Sequence, residues 1–125
     1  MAQKIKWLDK PRESNYPNAV SYLSLIFDTT TATNYVDRLK EGIGAQITTF
    51  KAKDIFRASG LSLLGVSNER VKKDLKKIAE GEELSPILLV RDTIRGRVII
   101  ADGYHRMCAV YEVDEDADIP CIIVG

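Results

Sequence analysis

The chain has little of several features that would place it in a specialised class. It has two cysteines and one histidine in 125 residues, too few for a disulfide framework or for the usual zinc-binding spacing. No apolar run reaches the ~18 residues that cross a bilayer, and the polar N-terminus lacks the apolar segment of a signal peptide. Neither charge sign is in excess, because 18 Lys and Arg balance 18 Asp and Glu. These absences predict a reduced, cytoplasmic protein of bacterial type, without a structural metal or a general attraction to nucleic acid.

The first half of the chain predicts helices and then a strand. A hydrophobic content of 45% in 125 residues is typical of one compact domain. Residues 17–27 and a second segment carry apolar residues at helical spacing, so residues 1–44 are predicted to be mainly helical. Residues 46–50 have strand propensity, and residues 52–58 fit a short helix or an extended segment. We expect the loop 60–65 to turn its leucines under the core.

The second half has the clearer pattern. An amphipathic helix ends at Gly81. The apolar runs 87–90 and 98–101 predict two buried strands joined as a hairpin. A helix over 104–112 and a strand over 119–124 follow. This order predicts a mixed α/β, or α+β, fold in which a small sheet is packed by helices.

Between the second strand of the hairpin and the next helix lie Asp102, Gly103, Tyr104, His105 and Arg106. Gly103 permits a sharp turn and a close backbone approach to a ligand, and the first turn of a helix leaves unpaired N–H groups at its positive end. A phosphate satisfies these groups, Arg106 can add a bidentate contact, and His105 can donate a hydrogen bond or carry a proton. Asp102 could cap the helix or hold His105 or Arg106 in place. A purely structural turn is the alternative, and the setting between strand and helix favours the phosphate site.

These residues and their flanking strands resemble the ParB/sulfiredoxin-like superfamily. The matching elements are the helix ending at Gly81, the strand after Pro86, the strand before Gly103, the pair His105-Arg106, and Ala109. The resemblance implies a nucleotide- or phosphate-binding core over residues 45–125, with residues 1–44 as a helical extension outside the common core. The Asp-Gly-aromatic-His-Arg form is most similar to free serine kinases. Tyr104 stands where sulfiredoxins have cysteine, so their reductase chemistry is not expected.

The resemblance also implies a reaction and further site residues. A nucleotide-dependent kinase or hydrolase would use ATP or CTP with Mg²⁺ and would need a base. His105 and Asp54 are the candidate catalytic residues. Arg57 could reach a second phosphate, and Ser85 could contact the ligand. The alternatives are a surface salt bridge between Asp54 and Arg57, and a role for Ser85 in the turn before Pro86.

Three functions stay open at this point. The first is the nucleotide-dependent enzyme. The second is a non-catalytic nucleotide-sensing or protein-interaction module, in which the N-terminal helices dock on the ligand domain or mediate a homodimer or partner contact. The third is a DNA partition or regulation protein without its own helix-turn-helix. It ranks last because the chain ends directly after the last strand, so direct DNA binding is not expected.

Other suggestive residues have plainer interpretations. Cys108 and Cys121 are predicted to be small core side chains. The acidic loop 114–118 lacks the glycine and the closing glutamate of a calcium loop, so it is predicted to be solvated. The basic residues at 70–77 are interrupted by acidic ones and are interpreted as a solvated helix face rather than a DNA-binding site.

Overall fold

A computed structural model of the chain describes residues 4–125. They form a mixed α+β fold, as the sequence predicts, with a four-stranded sheet and a small two-stranded one. In chain order the elements are β1 (Lys6–Trp7), α1 (Asn15–Leu23), α2 (Thr29–Glu41), β2 (Ala45–Lys51), α3 (Ala52–Ser59), α4 (Glu69–Ala79), β3 (Glu83–Leu84), β4 (Ile87–Asp92), β5 (Arg97–Asp102), α5 (Tyr104–Val113) and β6 (Asp118–Val124).

The four-stranded sheet has the order β2-β6-β4-β5. β4 and β5 are antiparallel, so the predicted hairpin is confirmed, and β2 also pairs antiparallel with β6. β6 runs parallel to β4 at the centre of the sheet. Near the N-terminus, β1 pairs parallel with β3 and forms the small second sheet.

Helices cover both faces of the four-stranded sheet. Successive side chains of a strand point to opposite faces, and Ile87 and Leu89 of β4 pack in one cluster with residues of α3, α4 and α5. Leu88 and Val90 pack in a second cluster with residues of α1 and α2. Strands buried on both sides read as continuous apolar runs, which explains the sequences of β4, β5 and β6. The N-terminal helices therefore form one of the two helical layers on the sheet.

The helix boundaries refine the sequence predictions. α1 begins at Asn15 and ends at Leu23, earlier than the predicted 17–27, because the chain then turns with short-range hydrogen bonds and Asp28 caps the next helix. The Asp28 side chain accepts from the Thr31 N–H at 2.8 Å. Gly42 ends α2 with a φ of 76°, as expected for a glycine at this position. The ambiguous segment 52–58 is helical.

The prediction for the leucine-rich loop 60–65 is wrong in part. Leu61 and Leu63 each keep 37% of their surface exposed, and Leu64 alone of the three packs partly against the core. The loop lies across the start of α5, where the Tyr104 hydroxyl donates to the Ser62 carbonyl. This position leaves Leu61 and Leu63 partly exposed instead of under the core, and Leu61 lines a cavity.

The two cysteines are core residues, as predicted. Cys108 and Cys121 are each 1% exposed and both are free thiols. Burial raises the pKa of the Cys121 thiol to about 12 and also raises the pKa of Cys108. In the acidic loop, Asp116 and Asp118 are exposed, in line with a solvated loop. Over residues 4–125, every helix is too short or too polar to cross a membrane.

Candidate functional site

The turn between β5 and α5 is built around Gly103. Its φ of 114° lies in a region that residues other than glycine rarely adopt. A Cβ at this position would lie 2.7 Å from Cγ1 of the fully buried Ile87 and 3.0 Å from Nη2 of Arg106. The backbone conformation and the close packing of Ile87 therefore require glycine at this turn. Any need for a ligand to approach the backbone would be a further reason.

The first turn of α5 presents backbone donors that no side chain of residues 4–125 caps. Gly103 is the N-cap residue, and it has no side chain that could accept from the first N–H groups of the helix. The Met107 N–H donates to the Gly103 carbonyl at 2.9 Å, so the N–H groups before it precede the first hydrogen bond of the helix. Asp102 does not act as the cap that the sequence allowed. An uncapped N-terminus offers hydrogen-bond donors and positive potential to an anion.

Arg106 is mainly tied to the protein itself. Its Nε donates to the Ser85 carbonyl at 2.9 Å, and its Nη2 donates to the Pro86 carbonyl at 3.2 Å and to Asp102 Oδ2 at 3.0 Å. The side chain is 16% exposed. Two of the three guanidinium nitrogens therefore hold the turn in place, and the bidentate contact of Arg106 with a phosphate stays a prediction. Nη1 is the one left to contact a ligand, since no partner of it is found within residues 4–125.

Ser85 and Asn15 extend this network to α1. The Ser85 hydroxyl, 4% exposed as a residue, donates to the Asn15 side-chain oxygen. The Arg12 N–H donates to the same oxygen at 2.9 Å and to the Ser85 hydroxyl at 3.1 Å. The Ser85 carbonyl thus holds Arg106, and the Ser85 hydroxyl is engaged by Asn15 and Arg12. This is close to the alternative given by the sequence, a role for Ser85 in the turn before Pro86.

A cleft of about 240 Å³ opens above the turn, between α1, α4 and α5. We call it the turn cleft; it is lined by Asn15, Asn18, Arg70, Lys73, Asp74, Lys77 and Asp102–Arg106. All five residues of the predicted motif therefore meet at one cavity.

The sequence interpretation missed the basic wall of this cleft. Arg70, Lys73 and Lys77 come from α4, which the sequence suggested was a solvated face. They recur at i, i+3 and i+7, a spacing that places side chains on one face of a helix. This spacing is the signal by which the sequence could have indicated a basic wall, because Lys72 and Lys76, which do not share it, do not line the cleft. Three cations that line the same cleft as a helix N-terminus favour an anionic ligand.

His105 lines the turn cleft, where its surroundings favour the uncharged imidazole. Burial lowers the pKa of His105 below its usual value, and the positive charge of Arg70 lowers it further. Its ring lies 5.3 Å from the Tyr104 ring, centroid to centroid. A neutral imidazole can accept a proton, so the arrangement suits a general base.

Asp74 is a second group of the cleft that the sequence interpretation did not single out. Burial raises the pKa of Asp74, while the positive charges of Arg106 and Lys77 oppose that shift. It makes none of the ion pairs within 4.0 Å found for residues 4–125. A partly buried carboxylate of this kind is typical of functional sites.

Asp54 and Arg57 lie elsewhere. Both are on α3, and they form the surface ion pair that was the sequence alternative, with 3.6 Å between Arg57 Nη1 and Asp54 Oδ1. Asp54 lines a separate, mostly apolar cavity of about 430 Å³ at the β4–β5 hairpin. The two candidate catalytic residues, His105 and Asp54, are thus not brought together, because α3 packs at the opposite end of β5 from Asp102.

The carboxylates of the turn cleft fit magnesium only in part. No cluster of three His, Cys, Asp or Glu side chains that could hold a metal occurs in the described part of the chain. Of the two carboxylates that line the cleft, Asp102 is engaged by Arg106. Mg²⁺ often binds through one carboxylate together with ligand phosphates, and Asp74 is the residue that could take that part.

Comparison with known proteins returned no matching family model, curated protein or solved structure. The resemblance to the ParB/sulfiredoxin-like superfamily therefore stays a prediction.

Proposed function

We propose that the turn cleft binds the phosphate group of a small molecule, a nucleotide being the class that the ParB/sulfiredoxin-like resemblance implies. The observation that carries the proposal is the meeting of the uncapped α5 N-terminus with Arg70, Lys73 and Lys77 in one cleft. Backbone N–H groups supply directional hydrogen bonds, and the α4 cations supply charge. ATP or CTP with Mg²⁺ is the specific form proposed, in a cytoplasmic setting.

The affinity expected for a phosphate depends on how far the α4 cations are exposed to water. One ion pair at 4 Å is worth about 1 kcal/mol in water and about 4 kcal/mol near a protein surface. Removing two of the three α4 cations is therefore expected to weaken phosphate binding by about tenfold or more. The contribution should fall as salt rises, because exposed charges are screened.

The test is a titration with matched variants. ATP, CTP and inorganic phosphate, each with Mg²⁺, are titrated against the wild type and Lys73→Ala/Lys77→Ala by calorimetry and by amide NMR shifts. The control is Lys72→Ala/Lys76→Ala, which removes the same charge from the same helix but from outside the cleft. We expect the first pair to lose about tenfold in affinity and the control less than about twofold. Equal losses in both pairs, or no binding by any of the three probes, would refute the site.

Turnover is a second proposal, favoured by the lowered pKa of His105 in the cleft. A neutral imidazole beside a bound phosphate can take a proton from an attacking hydroxyl or water, as a kinase or hydrolase requires. Release of ADP or phosphate from ATP, lost in His105→Gln while binding persists, would support an enzyme. Binding without product release would support the sensing or interaction module instead, and a salt-sensitive shift of duplex DNA would favour the partition alternative.

A further inference from the structure

A larger groove continues from the turn cleft along α1. It has a volume of about 660 Å³ and shares Asn18, Arg70 and the segment Asp102–His105 with the turn cleft. We call it the α1 groove. The rest of its lining comes from Ser21, Tyr22, Leu25, Leu61, Ile100 and Ala101. A ligand held at the turn would therefore have its remaining atoms next to this groove.

The α1 groove exposes apolar side chains where burial would be expected. Leu25 is 85% exposed, Tyr22 39% and Leu61 37%. Apolar side chains gathered around one cavity mark a binding surface more often than single exposed ones do. Burying them against a ligand is favourable in proportion to the apolar area removed from water.

One wall of the groove is fixed and aromatic. The Tyr104 hydroxyl donates to the Ser62 carbonyl, which anchors the phenol ring to the neighbouring loop. Tyr104 also lines both cavities. Tyr104 lines the same groove as Tyr22 and Leu25, and this lining suits a flat ring, because rings stack and pack well against such side chains. Asn18 and Ser21 add polar groups at the edge of α1.

We infer that the α1 groove holds an aromatic ring that is joined to the bound phosphate, so that the ligand is a phosphate ester of a ring-bearing alcohol. The inference rests on the proposed phosphate site. It assigns a role in specificity to α1 and to the turn that follows it, which lie outside the part of the chain carrying the family resemblance. Tyr22 and Leu25 are the residues that distinguish a ring-bearing phosphate ester from a polyol phosphate.

The test compares three probes that share a phosphate: phenyl phosphate, glycerol 3-phosphate and inorganic phosphate. In the wild type we expect phenyl phosphate to bind about tenfold more tightly than glycerol 3-phosphate, since it alone buries a ring. Amide NMR shifts should appear at Gly103–His105 with all three probes, and at Tyr22 and Leu25 with phenyl phosphate only.

The variant Tyr22→Ser/Leu25→Ser should remove the preference for the ring and leave the glycerol 3-phosphate affinity within about twofold. Ile94→Ser is the control, because Ile94 is 92% exposed on the β4–β5 turn and lines neither cavity. Equal wild-type affinities for phenyl phosphate and glycerol 3-phosphate would overturn the inference while leaving the phosphate site intact. A preference that survives in the double variant would overturn it as well. Failure of all three probes to bind would refute the phosphate site itself.

Discussion

Replacing Gly103 with alanine is expected to destabilise the protein strongly, for two separable reasons. At a φ of 114° an alanine is strained, and backbone strain of this kind costs about 1–3 kcal/mol. The added Cβ would also lie 2.7 Å from Ile87 Cγ1, far inside the ~3.5–4.0 Å of a carbon contact. Overpacking of a buried site costs about 1–3 kcal/mol more. The sum, about 2–6 kcal/mol, is a large share of the ~5–15 kcal/mol that stabilises a typical domain.

The assay is urea unfolding followed by circular dichroism, with Gly96→Ala as the matched control. Gly96 also has a positive φ, 65°, but nothing lies within 4 Å of a Cβ built there. The control should therefore lose only the cost of a left-handed alanine, about 1–2 kcal/mol. If Gly103→Ala costs no more than Gly96→Ala, the packing argument at the turn is wrong.

A double-mutant cycle separates strain from packing. Ile87→Ala removes both Ile87 atoms that the new Cβ would meet and leaves the contact of 3.0 Å with Arg106 Nη2. Gly103→Ala should therefore cost about 1–3 kcal/mol less in that background than in the wild type. Additive costs of Gly103→Ala and Ile87→Ala would mean that the contact with Ile87 does not limit this position.

Four further outcomes are expected. Asn15→Ala removes the acceptor of the buried Ser85 hydroxyl and one of the two acceptors of the Arg12 N–H. It should cost about 1–3 kcal/mol in urea unfolding, whereas the exposed Asn18→Ala should change stability by less than about 0.5 kcal/mol. His105 is the sole histidine, so its NMR titration can be followed without overlap, and it should give a pKa below the usual ~6.5. Because the pKa is lowered in the fold, the stability of the protein should fall as pH drops from about 6.5 through that pKa. This fall should be absent in His105→Gln. The pKa of Asp74 is raised, so the stability that this carboxyl contributes is present below its unfolded pKa and is lost as pH rises through its folded pKa. Asp74→Asn should therefore be more stable than the wild type at pH 7 and equally stable in acid. A variant less stable than the wild type at pH 7 would contradict this. The Cys121 thiol, with a pKa of about 12, should resist alkylation at pH 8 until urea unfolds the chain.

The sequence predicted the local elements well because their signals are local. The buried runs 87–90 and 98–101 and the glycine between β5 and α5 each have a signature within a few residues. What the sequence did not reveal is that α1 and α2 cover the second face of the sheet. That fact was implicit in the continuous apolar runs, since a strand buried on both sides needs two covering layers.

The candidate site was predicted in part for a similar reason. The motif 102–106 was recognised because glycine, histidine and arginine lie together in the chain. The partners of Arg106 and the cleft-facing role of Lys73 and Lys77 depend on how α4 and the Ser85 carbonyl meet the turn in space. Asp54 was misplaced relative to His105 because nothing local tells at which end of the sheet α3 packs.

The hydrogen bonds that join Arg106, Ser85 and Asn15 have a consequence for ligand recognition. They link the connection between β3 and β4 with β5, α5 and α1 at one point, so these walls of the turn cleft are positioned when the protein folds. A ligand would then meet N–H groups that are already oriented, and little conformational entropy would be lost on binding. Rigidity of this kind favours ligands whose charge and shape match the cleft in advance over those that need it to adapt.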